Sequence, residues 1–147
     1  MAIVTTSKRD SDKTDSRWTA IVRELGPDIA SRAAQHDADD PFVAENYELM
    51  RQSKLFSAAV PANLGGGGAS HAEICVVIRE LAHYDGSTAL AFSMHSHLLA
   101  ALVWRHRHNL TPPSEPALRR TASEELVLVS TGGSDWLDGS GDRKSVV

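Results

Sequence analysis

The residues with the clearest chemical potential follow a short apolar run near the end of the chain. Ser130, Thr131 and Ser134 surround two glycines, directly after the apolar residues 126–129. At a strand end, small residues leave backbone N–H groups and hydroxyls free to approach the edge of a planar, polar ring. A plain glycine–serine turn is the alternative interpretation of the same residues.

Four consecutive glycines, residues 65–68, form a second candidate. They precede a predicted helix N-terminus, where free N–H groups and the helix dipole can bind an anion. No lysine follows, so this is not a GxxxxGK[ST] phosphate loop, and the spacing also fails GxGxxG. We therefore favour a turn that packs closely against a neighbouring segment.

The histidines and the cysteine do not form a metal-binding pattern. His95 and His97 lie two residues apart, so on a helix they point to different sides. His106 and His108 could chelate an ion only in an extended segment, and no carboxylate stands immediately beside them. Cys75 is the only cysteine, which excludes an intrachain disulfide and a zinc site of several thiolates. We expect no metal site.

The composition is that of an ordinary globular domain. The chain has 147 residues, of which 41% are hydrophobic and 23% charged, and its formal net charge is -4. An acidic balance argues against nucleic-acid binding by bulk charge. No apolar run reaches the length of a membrane span, and the polar start is not a secretory signal. A cytoplasmic protein that binds neither membrane nor nucleic acid is expected.

Helical periodicity dominates the chain after a polar lead-in, residues 1–14, that is typical of disorder. Gly26 and Pro27 predict a break between a first and a second helix, and residues 37–41 predict an acidic loop. Ser70 and Glu73 match a capping box. The segment at residues 88–105, with Ser87 as its cap, is apolar around most of its circumference, which predicts a central buried helix. The predicted helices cover residues 16–25, 27–36, 43–53, 71–84, 88–105 and a short stretch ending near 122.

Residues 126–129 are the one convincing strand signal. A lone strand cannot satisfy its backbone groups, so the sequence predicts a sheet whose other strands lie beyond this chain. The last six residues, 142–147, can be back-translated into a common sequencing-adapter sequence, and we expect them to be a non-native tail.

The order of these signals resembles the N-terminal half of the acyl-CoA dehydrogenase family. The resemblance covers about residues 27–140 and rests on five short segments in the expected order. These are residues 47–61 (YELMRQSKLFSAAVP), 63–70 (NLGGGGAS), 80–90 (ELAHYDGSTAL), 93–98 (SMHSHL) and 128–135 (LVSTGGSD).

The resemblance implies a mainly α fold. Residues 15–123 would form the family's N-terminal helical bundle, and residues 124–141 would begin its middle β-barrel, with the first strand of a truncated domain. The family's third part, a C-terminal four-helix bundle, supplies the carboxylate base. No residue of this chain is therefore assigned as catalytic.

The resemblance also implies the binding residues. Leu128, Ser130, Thr131 and Ser134 match positions that contact FAD, although the loop before Ser134 is about three residues shorter than in the family. Ser93, Met94 and His97 match the helix that lines the acyl tunnel. Because Met94 is bulky and His97 polar, a short, branched or aromatic group is expected there rather than a long straight one.

The implied activity is FAD-dependent dehydrogenation of an acyl-CoA thioester at its α,β bond, as in fatty acid metabolism. Electron-transfer flavoprotein or oxygen would accept the electrons, and the complete protein would be a homo-oligomer. Two alternatives stay open: a flavin-dependent monooxygenase of the same fold, and a non-enzymatic helical interaction protein.

Overall fold

The computed structural model describes residues 16–39 and 44–129. This part of the chain is mainly helical, which confirms the predicted fold class. A short 3-10 helix, Ala62–Leu64, lies between the second and third α-helices. The α-helices are α1 (Arg17–Asp39), α2 (Ala44–Gln52), α3 (His71–Ala82), α4 (Gly86–Arg107) and α5 (Glu115–Glu124).

Helix α4 is the central element, because both hydrophobic cores form on it. Its first half contributes Ala89 and Phe92 to a core shared with α1, α2 and α3. Its second half contributes Leu99 and Val103 to a smaller core shared with α5 and the 3-10 helix. The segment between α2 and α3 contributes to both cores. Phe56 lies in the first core, and Val60 lies in the second.

Helix α1 runs through Gly26 and Pro27, so the predicted break there is wrong. Val22 and Ile29 are both fully buried in the first core, and their burial holds the two halves of the helix together despite the proline. A Cβ at Gly26 would overlap the ring of Tyr84. The glycine therefore permits close packing of Tyr84 on α1 instead of ending the helix. The helix also extends through residues 37–39, which were expected to be loop.

The start of α3 follows the sequence prediction. The Ser70 hydroxyl accepts a hydrogen bond from Glu73 N (3.2 Å), and Glu73 Oε2 accepts one from Ser70 N (2.8 Å), so the capping box is confirmed. The bond from Ser70 N and then that from its hydroxyl lower the pKa of Glu73 from its ordinary value. Helix α4 begins two residues earlier than predicted, and its cap is Asp85, whose Oδ1 accepts from Ser87 N at 3.0 Å.

One face of α4 is open to solvent, so the prediction of a helix buried on most sides is wrong for that face. Leu90 is 67% exposed, Met94 51% and Trp104 56%. The opposite face carries Phe92 and Leu99, which are almost fully buried. Helix α4 thus has one face packed in the cores and one exposed face that carries large apolar side chains.

The predicted strand is present only in part. Of residues 126–129, Leu128 alone forms a β-bridge, and no strand occurs within the described residues. Glu125 has a left-handed backbone (φ 50°, ψ 47°), which turns the chain directly after α5. Leu128 then packs into the second core. Residues 130 and 131, which directly follow the predicted strand, lie outside the described residues, as does the tail at 142–147.

A buried polar network ties α1, α2 and the start of α4 together. Asn46 is fully buried, and its amide nitrogen donates to Thr88 Oγ1 (2.8 Å) and Asp85 Oδ2 (3.3 Å). Its oxygen accepts from two nitrogens of Arg32, at 3.0 and 3.2 Å. Every polar atom of the amide is thereby used, which fixes α2 between its neighbours.

None of the described helices combines the length and the apolar character that crossing a membrane requires.

Asn46→Ala should lower the free energy of unfolding by about 3 kcal/mol, because it leaves Thr88, Asp85 and Arg32 without their shared partner. Urea unfolding followed by circular dichroism measures the change. Gln52→Ala is the matched control: this exposed amide only contacts Glu48 one turn away, and its loss should change stability by less than about 0.5 kcal/mol. Equal effects of the two substitutions would contradict a role for the buried network.

Candidate functional site

The three residues expected to contact substrate lie on α4 near its open face. Met94 is half exposed and His97 is exposed, and the two lie one turn apart. Ser93 is half-buried, and its hydroxyl donates to the Leu90 carbonyl at 2.6 Å. The structure brings Met94 and His97 to one exposed face, while the Ser93 hydroxyl is already bonded to the backbone.

A groove of about 460 Å³ lies beside this face, between α4 and the start of α3. Of the three predicted residues, only His97 lines it. The groove follows the stripe of α4 residues that starts at His97 and ends at Arg107, and Trp104 forms part of its wall. The ring of His108 stacks on Trp104 with centroids 4.4 Å apart, and His108 Nδ1 lies 2.8 Å from the Trp104 carbonyl oxygen.

His95 is a functional candidate that was not selected from the sequence. It is 1% exposed, and its Nδ1 accepts a hydrogen bond from Leu128 N at 3.0 Å. A neutral ring with an accepting Nδ1 carries its proton on Nε2, which then donates to the Phe56 carbonyl at 2.9 Å. Burial lowers the pKa of His95 to about 4, against a smaller raising effect of the Phe56 carbonyl. The imidazole is therefore neutral at physiological pH.

The burial of His95 could have been predicted from its position in the sequence. It lies three residues after Phe92 and four before Leu99, so it shares the inner face of α4 with both. As the two-residue spacing of His95 and His97 predicts, the two rings lie on different sides of α4, one buried and one exposed. In residues 16–39 and 44–129, no three His, Cys, Asp or Glu side chains are grouped as metal ligands.

Leu128 is the one predicted flavin contact within the described residues. Its N–H is already donated to His95, and its side chain is 9% exposed in the second core. A contact between Leu128 and a flavin would therefore have to use its carbonyl oxygen or the edge of its side chain. Ser130, Thr131 and Ser134 lie outside the described residues.

The glycine loop is a packing turn, as favoured from the sequence. The N–H groups of residues 66–69 donate to carbonyl oxygens of residues 57–61, at 2.8 to 3.2 Å. Gly65 N donates to Ala62 O at 3.1 Å. None of these N–H groups is left for an anion. A Cβ at Gly66 would overlap Val60, and one at Gly67 would overlap the ring of Trp18.

Glu125 is a second residue that sequence reasoning missed. It is 2% exposed, and its Oε2 accepts from Ser57 N at 3.3 Å. Its Oε1 has no hydrogen-bond partner among the described residues, although Lys54 Nζ lies 3.8 Å away. Glu125 thus joins the end of α5 to the segment before the glycine loop. No periodic signal marks it, because it follows the end of the helix.

Gly67→Ala should lower the free energy of unfolding by about 2 kcal/mol, because the new Cβ meets both the Trp18 ring and, at 2.8 Å, the Ala58 carbonyl oxygen. Gly86→Ala is the matched control, since nothing lies within 4 Å of its Cβ position in the first turn of α4. That substitution should be neutral or stabilising by up to about 1 kcal/mol. Urea midpoints distinguish the two, and a neutral Gly67→Ala would contradict close packing of the loop.

Acidification should destabilise the protein through His95. Its pKa in the folded protein, about 4, lies below the ordinary 6.5, so the unfolded chain binds more protons between these values. The free energy of unfolding therefore falls as pH is lowered from about 6.5 to 4, by on the order of 3 kcal/mol from this residue. His95→Gln removes the titrating group, so its stability should fall less over the same range.

Urea unfolding at a series of pH values measures how the stability of the wild type and of His95→Gln depends on pH. Subtracting one dependence from the other cancels the contribution of the carboxylates, which both proteins share. His97→Gln serves as the control, because this exposed ring makes no buried hydrogen bond among the described residues. Identical pH dependences for the wild type and His95→Gln would show that His95 is not the neutral buried link.

Comparisons with known proteins agree with the fold. Residues 19–107 match the family described as acyl-CoA dehydrogenase, N-terminal domain. Over 84 residues the chain is 37% identical to the probable FMNH2-dependent monooxygenase SfnC of Pseudomonas putida, covering 57% of this chain and 21% of that protein. Over 139 residues it is 34% identical to the L-evernosamine nitrososynthase of a Micromonospora species, covering 80% of this chain and 33% of that protein.

A third relative is the putative acyl-CoA dehydrogenase YdbM of Bacillus subtilis, 27% identical over 86 residues, or 58% of this chain and 23% of that protein. The matched part thus spans between about a fifth and a third of the length of these relatives. The family match covers most of the described helices, from α1 to the end of α4. The resemblance inferred from the five segments is confirmed: this chain belongs to the acyl-CoA dehydrogenase family.

Proposed function

We propose that this chain is part of a flavin-dependent oxidoreductase that transfers oxygen to a compact substrate. The observation that carries the proposal is the pair of relatives above 30% identity, one named as an FMNH2-dependent monooxygenase and the other as a nitrososynthase. The nitrososynthase match extends over 80% of the chain, well past the end of α4. Both names describe oxidation of a substrate rather than dehydrogenation of a thioester.

The open face of α4 supports a compact substrate. Met94 and His97 present a thioether and an imidazole side by side, next to a groove of about 460 Å³. Because Met94 is bulky and His97 polar, such a surface suits a ring or a branched group better than a long straight chain. In this proposal Ser93, Met94 and His97 contact the substrate, and the Ser93 hydroxyl does so only after leaving the Leu90 carbonyl.

The flavin would be held by the segment after Leu128. Ser130, Thr131 and Ser134 supply hydroxyls and N–H groups for the polar edge of the ring and for a phosphate, and FAD is the form that the family resemblance implies. Bound flavin supplies the redox chemistry. The contribution of His95 is to hold Leu128, and with it the start of this segment, against α4.

Acyl-CoA dehydrogenation is the second candidate, favoured by the family description and by YdbM. It requires a carboxylate base, which the resemblance assigns to the C-terminal bundle. Electron-transfer flavoprotein would then accept the electrons, whereas oxygen is the co-substrate in the first candidate. A non-enzymatic interaction protein is the third reading, and it predicts that no flavin is bound.

The complete protein encoded at the source locus, which contains this chain, decides among the three. Purified with flavin, it should be yellow, and with reduced flavin and isotopically labelled O2 it should place the label in an aromatic sulfide or an amine. Anaerobic addition of acyl-CoAs of graded length should leave the visible flavin absorbance unchanged. Bleaching by an acyl-CoA would instead establish the dehydrogenase, and a colourless protein with no affinity for FMN or FAD would establish the interaction protein.

Thr131→Ala in the complete protein should raise the Kd for flavin by about fivefold to tenfold, the value of one lost hydrogen bond. Ser123→Ala is the control, because that exposed hydroxyl on α5 donates only to the Arg120 carbonyl. Flavin fluorescence titration measures both constants. An unchanged Kd for Thr131→Ala would remove this residue from the cofactor site.

A further inference from the structure

The groove beside α4 has a basic rim in a protein whose net charge is negative. His71 from α3 and His97 and Arg107 from α4 stand along it, and none of the described residues that line it is acidic. The formal charge of the whole chain is -4. A local excess of hydrogen-bond donors and positive charge on an acidic protein concentrates anions at that place.

Arg107 has no competing partner in the described part of the chain. No ion pair or side-chain hydrogen bond joins it to another residue of 16–39 or 44–129, and it lies in the last turn of α4. On α5, by contrast, Arg119 and Arg120 each pair with a glutamate one turn away. A guanidinium without a carboxylate partner is available to bind a ligand anion with two parallel hydrogen bonds.

The groove also has an apolar floor and an aromatic wall. Ile74 and Ala100 belong to the floor, and the indole of Trp104, 56% exposed, forms the wall. His97, Ala100, Trp104 and Arg107 follow one another at three- and four-residue spacing, so they share one stripe of α4 about 15 Å long. The volume, about 460 Å³, is typical of a small-molecule site, and the length is too short for an amphipathic partner helix.

We propose that this groove binds a compact organic anion, whose aromatic or branched hydrocarbon body lies on Ala100 and Trp104 while its carboxylate pairs with Arg107. His71 and His97 lie at the other end of the groove from Arg107 and donate hydrogen bonds to polar substituents at the far end of the ligand. A cationic ligand is disfavoured, because it would face Arg107 without any described acidic residue in the lining. The inference rests on the proposed function, because His97 is among the substrate contacts proposed there. Binding to the groove is measured without flavin, so its failure can be told apart from a failure of the flavin chemistry.

Isothermal titration calorimetry of the full 147-residue chain tests this with two probes of the same shape, 2-naphthoate and the neutral 2-naphthamide. The wild type should bind the carboxylate roughly tenfold more tightly than the amide, as expected for one charge-assisted pair. Arg107→Gln should abolish this preference, and Arg107→Lys should restore part of it. Arg79→Gln is the matched control, since this exposed arginine on α3 lies outside the groove, and it should keep the preference.

Ala100→Leu tests the floor, because the larger side chain occupies the space of the ring. The substitution should weaken the binding of both probes by roughly tenfold, while the circular dichroism spectrum stays that of the wild type. The proposal is overturned if the wild type binds both probes equally, if Arg107→Gln keeps the preference for the carboxylate, or if neither probe binds. Lack of binding would mean that another segment of the chain or a second copy covers the groove.

Discussion

The neutral imidazole of His95 is the interaction on which the arrangement of this domain depends. Its two nitrogens bond to the Phe56 carbonyl and to Leu128 N, so one buried ring joins α4 to the segment before the glycine loop and to the segment after α5. The ring can do this only in one tautomer and only without a second proton. The rings of Phe56 and His95 pack in a T-shaped arrangement with centroids 5.1 Å apart. This contact helps to hold the imidazole in the orientation that its two hydrogen bonds require.

The parts of the fold that could be predicted are those that local chemistry decides. The capping box at Ser70 and Glu73 needs only residues three apart, and the structure contains it. The break at Pro27 failed because the outcome depends on a distant partner: Val22 and Ile29 are buried in one core, and Tyr84 occupies the space that Gly26 leaves. Local propensity is a weak guide to helix breaks where buried residues before and after the break hold the helix together.

The candidate site shows the same division. The sequence pattern identified Met94 and His97 on one helix, but the groove has walls from α3, from α4 and from residues 59 and 69, which no spacing rule brings together. The glycine loop was assigned correctly as a packing turn, because the absence of a lysine and of the right spacing excluded the phosphate loops. Its N–H groups then bond to the backbone of residues 57–61, a pairing that sequence alone does not reveal.

These contacts separate a fixed face of α4 from a variable one. The inner face is constrained by Phe92, by the Asn46 network at the start of the helix and by His95, which bonds to Phe56 of the first core and Leu128 of the second. The outer face, with Met94, His97 and Trp104, is exposed and lies outside both hydrophobic cores. Relatives of this chain are named as monooxygenase, nitrososynthase and dehydrogenase, and in the function proposed above the helix that supports the fold also borders the groove that takes the substrate. Under that proposal, the identity of the outer residues, more than the fold, decides which substrate is accepted.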